Sequence, residues 1–191
     1  MSNFVDGELV EMPLLEVVGE GGGGGAGAGA EVHRGFLTAF QSLQAELEDQ
    51  LRDLPRDIKL LLTGHSMGGA LAQIAAAHFA DRDPFLVTFA APAVGNAQFC
   101  AYINRRVAPY GGLRVWNEYD VVPYLTLFVG YEHAGMPLKL KQGRGAKELF
   151  QRESINAVSP ALPAIAPHIL FQLGGLVHVF PVLGEQGGGG I

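Results

Sequence analysis

The segment from Lys59 to Ala72, KLLLTGHSMGGALA, constrains the fold of this chain more than any other part of the sequence. It begins with an apolar run of strand length, continues with Gly-x-Ser-x-Gly around Ser66, and ends in small residues that favour a helix. A serine at such a junction is typical of a nucleophile elbow, a sharp and strained turn at the top of a parallel sheet. Gly64 and Gly68 would leave room for neighbouring backbone, and the next helix would point its N-terminus at the serine. The segment therefore predicts a parallel sheet and a reactive serine.

The composition restricts the class of protein and its partners. A chain of 191 residues and 20.3 kDa suits one domain, and an apolar fraction of 48% is enough for a core. The net charge of −6 at pH 7 and the lack of a Lys/Arg cluster argue against a nucleic-acid partner. The one cysteine, Cys100, excludes an internal disulfide, and its helical setting indicates a core thiol. The six histidines have no metal-ligand spacing, so we expect neither a metal nor another cofactor.

No apolar run of the sequence approaches membrane-spanning length, so we expect no transmembrane segment. The first residues lack the basic and apolar regions of a signal peptide. The default expectation is therefore a cytoplasmic protein, and it applies only if the natural chain starts at Met1. The sequence indicates no oligomeric state.

Glycine-rich stretches divide the chain into four predicted segments. Residues 1–18 are apolar and acidic, and residues 19–30 are almost all Gly and Ala. The second stretch cannot bury side chains and would lose much backbone entropy on ordering, so it is predicted to be a flexible surface loop. Residues 31–183 form the predicted domain, and residues 184–191 form a flexible tail.

The predicted domain alternates between helical and strand patterns. In chain order we expect a helix over 34–53, a strand over 58–63, a helix over 67–80, a strand over 85–89, a helix over 97–106 and a strand over 113–117. This order predicts an α/β fold, a mostly parallel sheet with helices on both faces. The pattern weakens after residue 124, and the apolar stretch 168–182 fits either a helix or a strand.

A serine hydroxyl is a weak nucleophile and needs a base, usually a histidine oriented by a carboxylate. With a nucleophile elbow, the chain order is serine, acid, histidine. Asp81 and Asp83 follow a helix, so they would lie at the sheet end away from Ser66. Asp120 comes just after the strand 113–117, at the carboxyl end where catalytic groups gather, and it is the favoured acid. Glu118 is the alternative, and the other interpretation of Asp120 is a turn-capping residue.

The residues themselves leave the identity of the base open. Three histidines follow the acid, namely His133, His168 and His178. Three others precede it and are interpreted as core, elbow-packing and helix-surface residues: His33, His65 and His78.

In order along the chain, several motifs resemble the class 3, or fungal-type, lipases of the α/β-hydrolase fold. The matching pieces are Val32-His33-Arg34-Gly35-Phe36, Thr63 to Ala72, Thr88 to Asn96, Asn117 to Pro123, and Gly130-Tyr131-Glu132-His133-Ala134-Gly135. The resemblance implies a serine ester hydrolase of lipid metabolism, which cleaves carboxylic esters of acylglycerols or related lipids through an acyl-enzyme. The implied partner is a lipid ester at a membrane or droplet surface.

The resemblance also assigns roles to single residues. It implies Ser66 as the nucleophile and Asp120 as the acid. His133 matches a family histidine that is not the base. Pro167-His168-Ile169-Leu170-Phe171 is similar to the late segment that carries the family's catalytic histidine, so His168 is predicted to be the base. The aromatic pattern after it is blurred, which keeps His178 as the alternative.

The chain departs from the family pattern at its beginning. In the family, a strand ending in a Phe-Arg-Gly-Ser/Thr-like motif precedes the lid and contributes to the oxyanion hole. This sequence lacks that motif, and residues 1–18 resemble a lid, with a strand or a disordered start as the alternative. We therefore expect an N-terminally truncated α/β-hydrolase in which the Met67 backbone N–H is one oxyanion donor. The alternative function is a catalytically impaired lipase-like protein that binds lipid or a protein partner.

Overall fold

The computed structural model describes residues 8–12, 29–141, 171–173 and 177–182. Its α-helices are α1 (Arg34–Arg52), α2 (Met67–His78) and α3 (Ala97–Arg106). Its strands are β1 (Leu9–Glu11), β2 (Glu31–His33), β3 (Lys59–His65), β4 (Phe85–Phe89), β5 (Ala108–Asn117), β6 (Met136–Leu140), β7 (Phe171–Leu173) and β8 (Val177–Val182). Short 3₁₀ helices span Ala80–Arg82, Val122–Tyr124 and Leu127–Val129.

The main sheet of the described residues has six strands in the order β6-β5-β4-β3-β8-β7. Strands β3 to β6 run parallel, so their carboxyl ends meet at one edge. β8 runs antiparallel to β3, and β7 runs antiparallel to β8. The predicted α/β fold with a mostly parallel sheet is confirmed, and the stretch that fitted either a helix or a strand contains two strands.

Local sequence patterns predicted the described elements well between α1 and β5. β4 and α3 have the predicted bounds, and α1 ends one residue early, at Arg52. β3 extends two residues beyond the prediction because Gly64 and His65 still pair with β4. β5 begins at Ala108, earlier than the predicted start at residue 113. Ala108 already pairs with Phe85, and after an irregular stretch the regular pairing starts at Leu113 with Val87.

The three described helices pack on one face of the sheet. Leu60, Leu62 and Leu86 project from that face into the same apolar cluster as α1, α2 and α3, whereas the neighbouring Leu61 lies outside this cluster. α2 contacts β3, β4, α1 and α3, so it forms the centre of the layer. Most of its residues are alanine or glycine, which lets α1 and the sheet approach closely. The described residues therefore confirm the predicted helices on one face of the sheet. Helices on the other face stay a prediction.

The described part of the segment 1–18 forms a strand. β1 pairs antiparallel with β2, and Met12 is buried in the core. An ion pair joins Glu8, just before β1, to Arg34, the first residue of α1. Strand pairing was the alternative to a lid for these residues. The remainder of the predicted lid, most of the loop 19–30 and the tail 184–191 lie outside the described residues.

No helix among the described residues is long and apolar enough to cross a membrane.

Candidate active site

Ser66 lies between β3 and α2 in a strained backbone conformation. Its φ of 53° and ψ of −123° fall in a region that residues other than glycine rarely adopt. Such a conformation costs on the order of 1–3 kcal/mol and persists only where the surroundings enforce it. Ser66 is the N-cap of α2, yet its hydroxyl makes no capping hydrogen bond. The turn therefore leaves the hydroxyl available for other chemistry, as a nucleophile elbow requires.

Two glycines make this turn sterically possible. A Cβ on Gly64 would lie 2.2 Å from the Gly68 carbonyl oxygen, which leaves no room for any side chain. A Cβ on Gly69 would lie 2.6 Å from the Ala91 Cβ. The prediction that Gly64 leaves room for neighbouring backbone is confirmed. Gly69 was not singled out from the sequence, because its neighbour Ala91 comes from the loop after β4.

Backbone hydrogen bonds connect the ends of three parallel strands. The Ser66 N–H donates to the Phe89 carbonyl at 2.9 Å, and the Ala90 N–H donates to the Val115 carbonyl at 2.7 Å. Ala90 also has a positive φ, of 51°. The elbow and the loop after β4 are therefore fixed to the sheet edge, and strained backbone concentrates there.

The N-terminus of α2 faces the elbow. The Ser66 carbonyl accepts from the Gly69 and Ala70 N–H groups at 3.0 and 3.3 Å, which closes the first helical turn. Met67 is the first residue of α2, so its N–H has no acceptor within the helix. This N–H and the helix dipole can stabilise negative charge that develops beside Ser66.

Asp120 lies at the same sheet edge as Ser66. It follows β5, which is separated from β3 by one strand, so the strand axes are roughly 10 Å apart. The Asp120 Oδ1 accepts from the Val122 N–H at 2.9 Å, and the Asp120 N–H donates to the Asn117 carbonyl at 3.0 Å. The Asp120 carboxylate thus caps a turn, and the residue is half-buried at the sheet edge that carries Ser66. Its position is compatible with both interpretations from the sequence, a turn cap and the proposed acid.

The other candidate acids lie elsewhere or have other partners. Asp81 is in the 3₁₀ helix after α2, at the opposite end of the sheet, and forms an ion pair with Arg56. Asp83 ends the same 3₁₀ helix with a φ of 43°. Glu118 lies 3.8 Å from the Lys139 ammonium on the edge strand β6.

Two of the three histidines before Asp120 have structural roles. His33 is buried and caps α1, since its Nδ1 accepts from the Gly35 N–H at 3.0 Å. His78 ends α2 and lies 2.8 Å from Glu48. His65 is exposed at the end of β3.

Of the two favoured candidates for the base, the structure describes only His178, and only its backbone. His178 pairs with Thr63 in the β3–β8 register, three residues before Ser66 along β3. His168 lies outside the described residues. The structure therefore brings Ser66, Asp120 and the backbone of His178 to one edge.

His133 is held away from a catalytic role by its surroundings. Its Nε2 lies 2.6 Å from the Pro123 carbonyl oxygen, so this nitrogen carries a proton and donates it. Burial, together with the charge of Arg114, lowers the pKa of His133 to about 4. The ring is therefore neutral at pH 7, and its weak basicity makes it a poor proton acceptor.

Cys100 is buried in α3, and burial raises the pKa of its thiol to about 12. This thiol is therefore protonated at neutral pH and chemically inert. The prediction of a core thiol is confirmed.

Large apolar side chains are exposed around the candidate site. We name them the apolar rim: Phe89, Tyr119, Val121, Tyr124, Leu125, Leu127 and Val129. Phe89 ends β4, and the other six lie in the segment after β5 that also contains Asp120. Concentrated exposed apolar surface of this kind marks a contact with an apolar ligand or partner.

Comparison with known proteins places the chain among lipases. The model of the family Lipase (class 3) matches residues 8–129, which include Ser66 and Asp120. A lipase of Rhizomucor miehei is 37% identical over 117 residues, which are 55% of this chain and 31% of the relative. A secreted mono- and diacylglycerol lipase of Fusarium solani is 38% identical over 109 residues, which are 53% of this chain and 32% of the relative. The chain thus spans about a third of the length of these curated relatives.

A solved structure supports the same relationship. A triacylglycerol lipase whose catalytic centre is described as a serine protease triad is 32% identical and has a TM-score of 0.51. The match covers 68% of this chain and 50% of that lipase. Because the family model matches well over half of the chain and this structure shares its architecture, the chain belongs to the class 3 lipase family and has the α/β-hydrolase fold.

Proposed function

We propose that this chain is a serine ester hydrolase that cleaves carboxylic esters of acylglycerols or related lipids. The observation that carries the proposal is the geometry of Ser66, a non-glycine residue with a φ of 53° at the N-terminus of α2. Strain is maintained at functional sites because it presents a group that a relaxed turn would bury or hydrogen-bond. Asp120, on the same edge of the sheet, supplies the carboxylate that such a serine needs.

The proposed reaction has two halves. The Ser66 Oγ attacks the ester carbonyl carbon while the histidine base accepts the hydroxyl proton. The tetrahedral intermediate then expels the alcohol, which takes that proton, and an acyl-enzyme remains. Water, deprotonated by the same histidine, attacks the acyl carbon. The second tetrahedral intermediate expels the Ser66 Oγ, which takes that proton back from the histidine, and the carboxylic acid is released. Asp120 orients the imidazole and stabilises its charged form throughout.

For the base we propose His168, with His178 as the second candidate. Sequence resemblance supports His168. Strand register supports His178, because its backbone pairs with Thr63 close to the elbow. The family model ends at residue 129, before both histidines, so it does not distinguish them.

The Met67 N–H is the proposed oxyanion donor within the described residues. Removing one of two donors lowers turnover on the order of 10²–10³-fold in hydrolases of this kind. With the Met67 N–H as the one proposed donor among the described residues, we expect this chain to turn over esters slowly compared with a lipase that has both donors.

The apolar rim supports a lipid substrate. Exposed Tyr119, Val121 and Leu125 beside the proposed acid would contact acyl chains rather than a polar alcohol. The relatives point the same way, since one is named a mono- and diacylglycerol lipase. We expect the substrate to be met at a membrane or droplet surface, where acyl chains are concentrated.

One observation favours the second candidate function, a catalytically impaired protein that binds lipid or a protein partner. On the side of β3 away from β4, the described strand is β8, and it runs antiparallel. A second oxyanion donor from the carboxyl end of a parallel strand would need that position.

Labelling with a serine-directed fluorophosphonate distinguishes the two functions. We expect wild-type protein to be labelled and Ser66→Ala to remain unlabelled. Ser42→Ala is the matched control, because Ser42 lies exposed on α1 with its hydroxyl bonded to the Ala39 carbonyl. Labelling of Ser66→Ala would place the reactive group elsewhere, and absence of labelling in the wild type would favour the impaired protein.

A further inference from the structure

The loop before β6 holds the turn that carries Asp120. We infer that His133 is a positioning residue of the proposed site, whose Nε2–H holds the Pro123 carbonyl and so fixes the Asp120 turn. The contact is 2.6 Å long and joins residues ten positions apart in the connection between β5 and β6. The consequence for catalysis rests on the proposed function, whereas the role in holding the turn does not.

The direction of this hydrogen bond fixes the protonation of the ring. A carbonyl oxygen can only accept, so Nε2 must carry the proton. The His133 Nδ1 is buried and has no hydrogen-bond partner among the described residues. The ring therefore exists as the neutral Nε2–H tautomer, and this tautomer is the one that can hold Pro123.

The held carbonyl is linked to the Asp120 carboxylate through a short, rigid path. Pro123 is buried and lies in the 3₁₀ helix Val122–Tyr124, whose first N–H donates to the Asp120 Oδ1 at 2.9 Å. The proline ring fixes its own φ, so displacement of its carbonyl cannot be absorbed by that torsion. Movement at Pro123 would therefore turn the carboxylate.

The other end of the contact is anchored to the body of the protein. On one side of His133, the Glu132 N–H donates to the Gly95 carbonyl at 2.8 Å. On the other side, the Gly135 N–H donates to the Asn104 Oδ1 at 2.8 Å. His133 thus lies between two fixed points, and it can act as a support for the more exposed turn.

The turn needs support because few of its side chains are packed. Tyr119 is 71% exposed, Val121 67% and Leu125 63%. Another tether is the Thr126 hydroxyl, which donates to the Ala93 carbonyl at 2.8 Å. Thr126 holds the far end of the segment, and His133 holds a residue nearer to Asp120.

Hydrogen exchange of the turn tests the inference without requiring activity. In His133→Phe the ring shape is kept and the donor is lost, so we expect the Val122 amide to exchange about tenfold faster. In His133→Gln the amide nitrogen can reach the same carbonyl, so we expect exchange near the wild-type rate. His78→Phe, at the end of α2, is the matched control and should leave the turn unchanged. Nitrogen NMR of the wild type should find the proton of His133 on Nε2.

Labelling of Ser66 then tests the catalytic consequence. We expect His133→Phe to label at least tenfold more slowly, with labelling restored in His133→Gln. The acid limb of its pH profile should move to lower pH, because a displaced carboxylate stabilises the catalytic imidazolium less.

The outcomes separate the two proposals. A wild type that does not label contradicts the proposed function, while hydrogen exchange still decides the role of His133. Equal exchange at Val122 in all variants, equally fast exchange in His133→Gln and His133→Phe, or a proton on Nδ1 would each overturn the inference. The NMR result applies even if His133→Phe fails to fold.

Discussion

The Ser66 N–H donates to the Phe89 carbonyl at 2.9 Å, so the elbow is attached to the end of the adjacent strand. The residue after Phe89, Ala90, repeats the arrangement toward β5 with a bond of 2.7 Å to Val115. Each strand end therefore supports the next, from the proposed nucleophile toward the proposed acid. These two backbone hydrogen bonds explain how the strained Ser66 is held in place although its own side chain makes no capping hydrogen bond.

Gly64→Ala should unfold or severely destabilise the protein, because its Cβ would lie 2.2 Å from the Gly68 carbonyl. Backbone cannot move aside cheaply, so we expect a loss of more than about 3 kcal/mol in urea denaturation. Gly130→Ala is the control: it has a positive φ of 84° but open space around it. Its cost should be limited to about 1–2 kcal/mol of backbone strain. Equal costs at both positions would contradict the steric explanation.

Ser66→Gly should remove activity and raise stability. Glycine accepts the φ of 53° without strain, which stabilises the folded state by about 1–3 kcal/mol. The greater backbone entropy of glycine in the unfolded chain offsets about 0.5–1 kcal/mol of this gain. We expect a net gain of about 1 kcal/mol in thermal or urea unfolding. Ser42→Gly, in the middle of α1, should instead lose about 1 kcal/mol or less. A destabilised Ser66→Gly would show that the turn is not strained.

The base should be identified by comparing His168→Ala with His178→Ala. We expect His168→Ala to abolish fluorophosphonate labelling of Ser66, since an unassisted hydroxyl is a weak nucleophile. His178→Ala should retain labelling. The reverse result would assign the base to β8, where His178 pairs with Thr63.

His133 should make stability fall in mild acid. Burial and the nearby Arg114 lower its pKa to about 4 in the folded protein, from the ordinary value of 6.5. The unfolded chain therefore binds the proton more readily, and stability is lost as the pH falls from about 6.5 towards 4. His133→Gln lacks this group, so its stability should fall less over that range. Parallel pH profiles of unfolding would contradict the prediction.

Cys100 should react with thiol reagents only on unfolding. Cys100 is 4% exposed, and burial raises the pKa of its thiol to about 12. We expect 5,5′-dithiobis(2-nitrobenzoate) to react slowly in buffer and rapidly in denaturant. Fast reaction in buffer, at a rate independent of denaturant, would show that the thiol is accessible.

Local sequence patterns determined the described elements from α1 to β4, α3 and the elbow. The leucine and phenylalanine spacing of α1, the apolar run of β4 and the glycines around Ser66 each act within a few residues along the chain. Asp120 was identified for the same reason, because a residue just after a parallel strand must lie at the carboxyl edge. Its catalytic role remains a proposal.

Only the tertiary structure decided which distant residues meet. The need for Gly69 depends on Ala91, the hydrogen bond that fixes Ala90 depends on Val115, and the partner of His133 is a carbonyl ten residues earlier in the chain. The antiparallel register of β8 beside β3 likewise joins segments far apart in the chain. Local periodicity carries no information about such pairings, because they arise from packing between elements and not from the conformational preferences of the residues within them. The sequence alone therefore determined the turn that carries the proposed nucleophile, and the tertiary structure decided what holds that turn and the proposed acid in place.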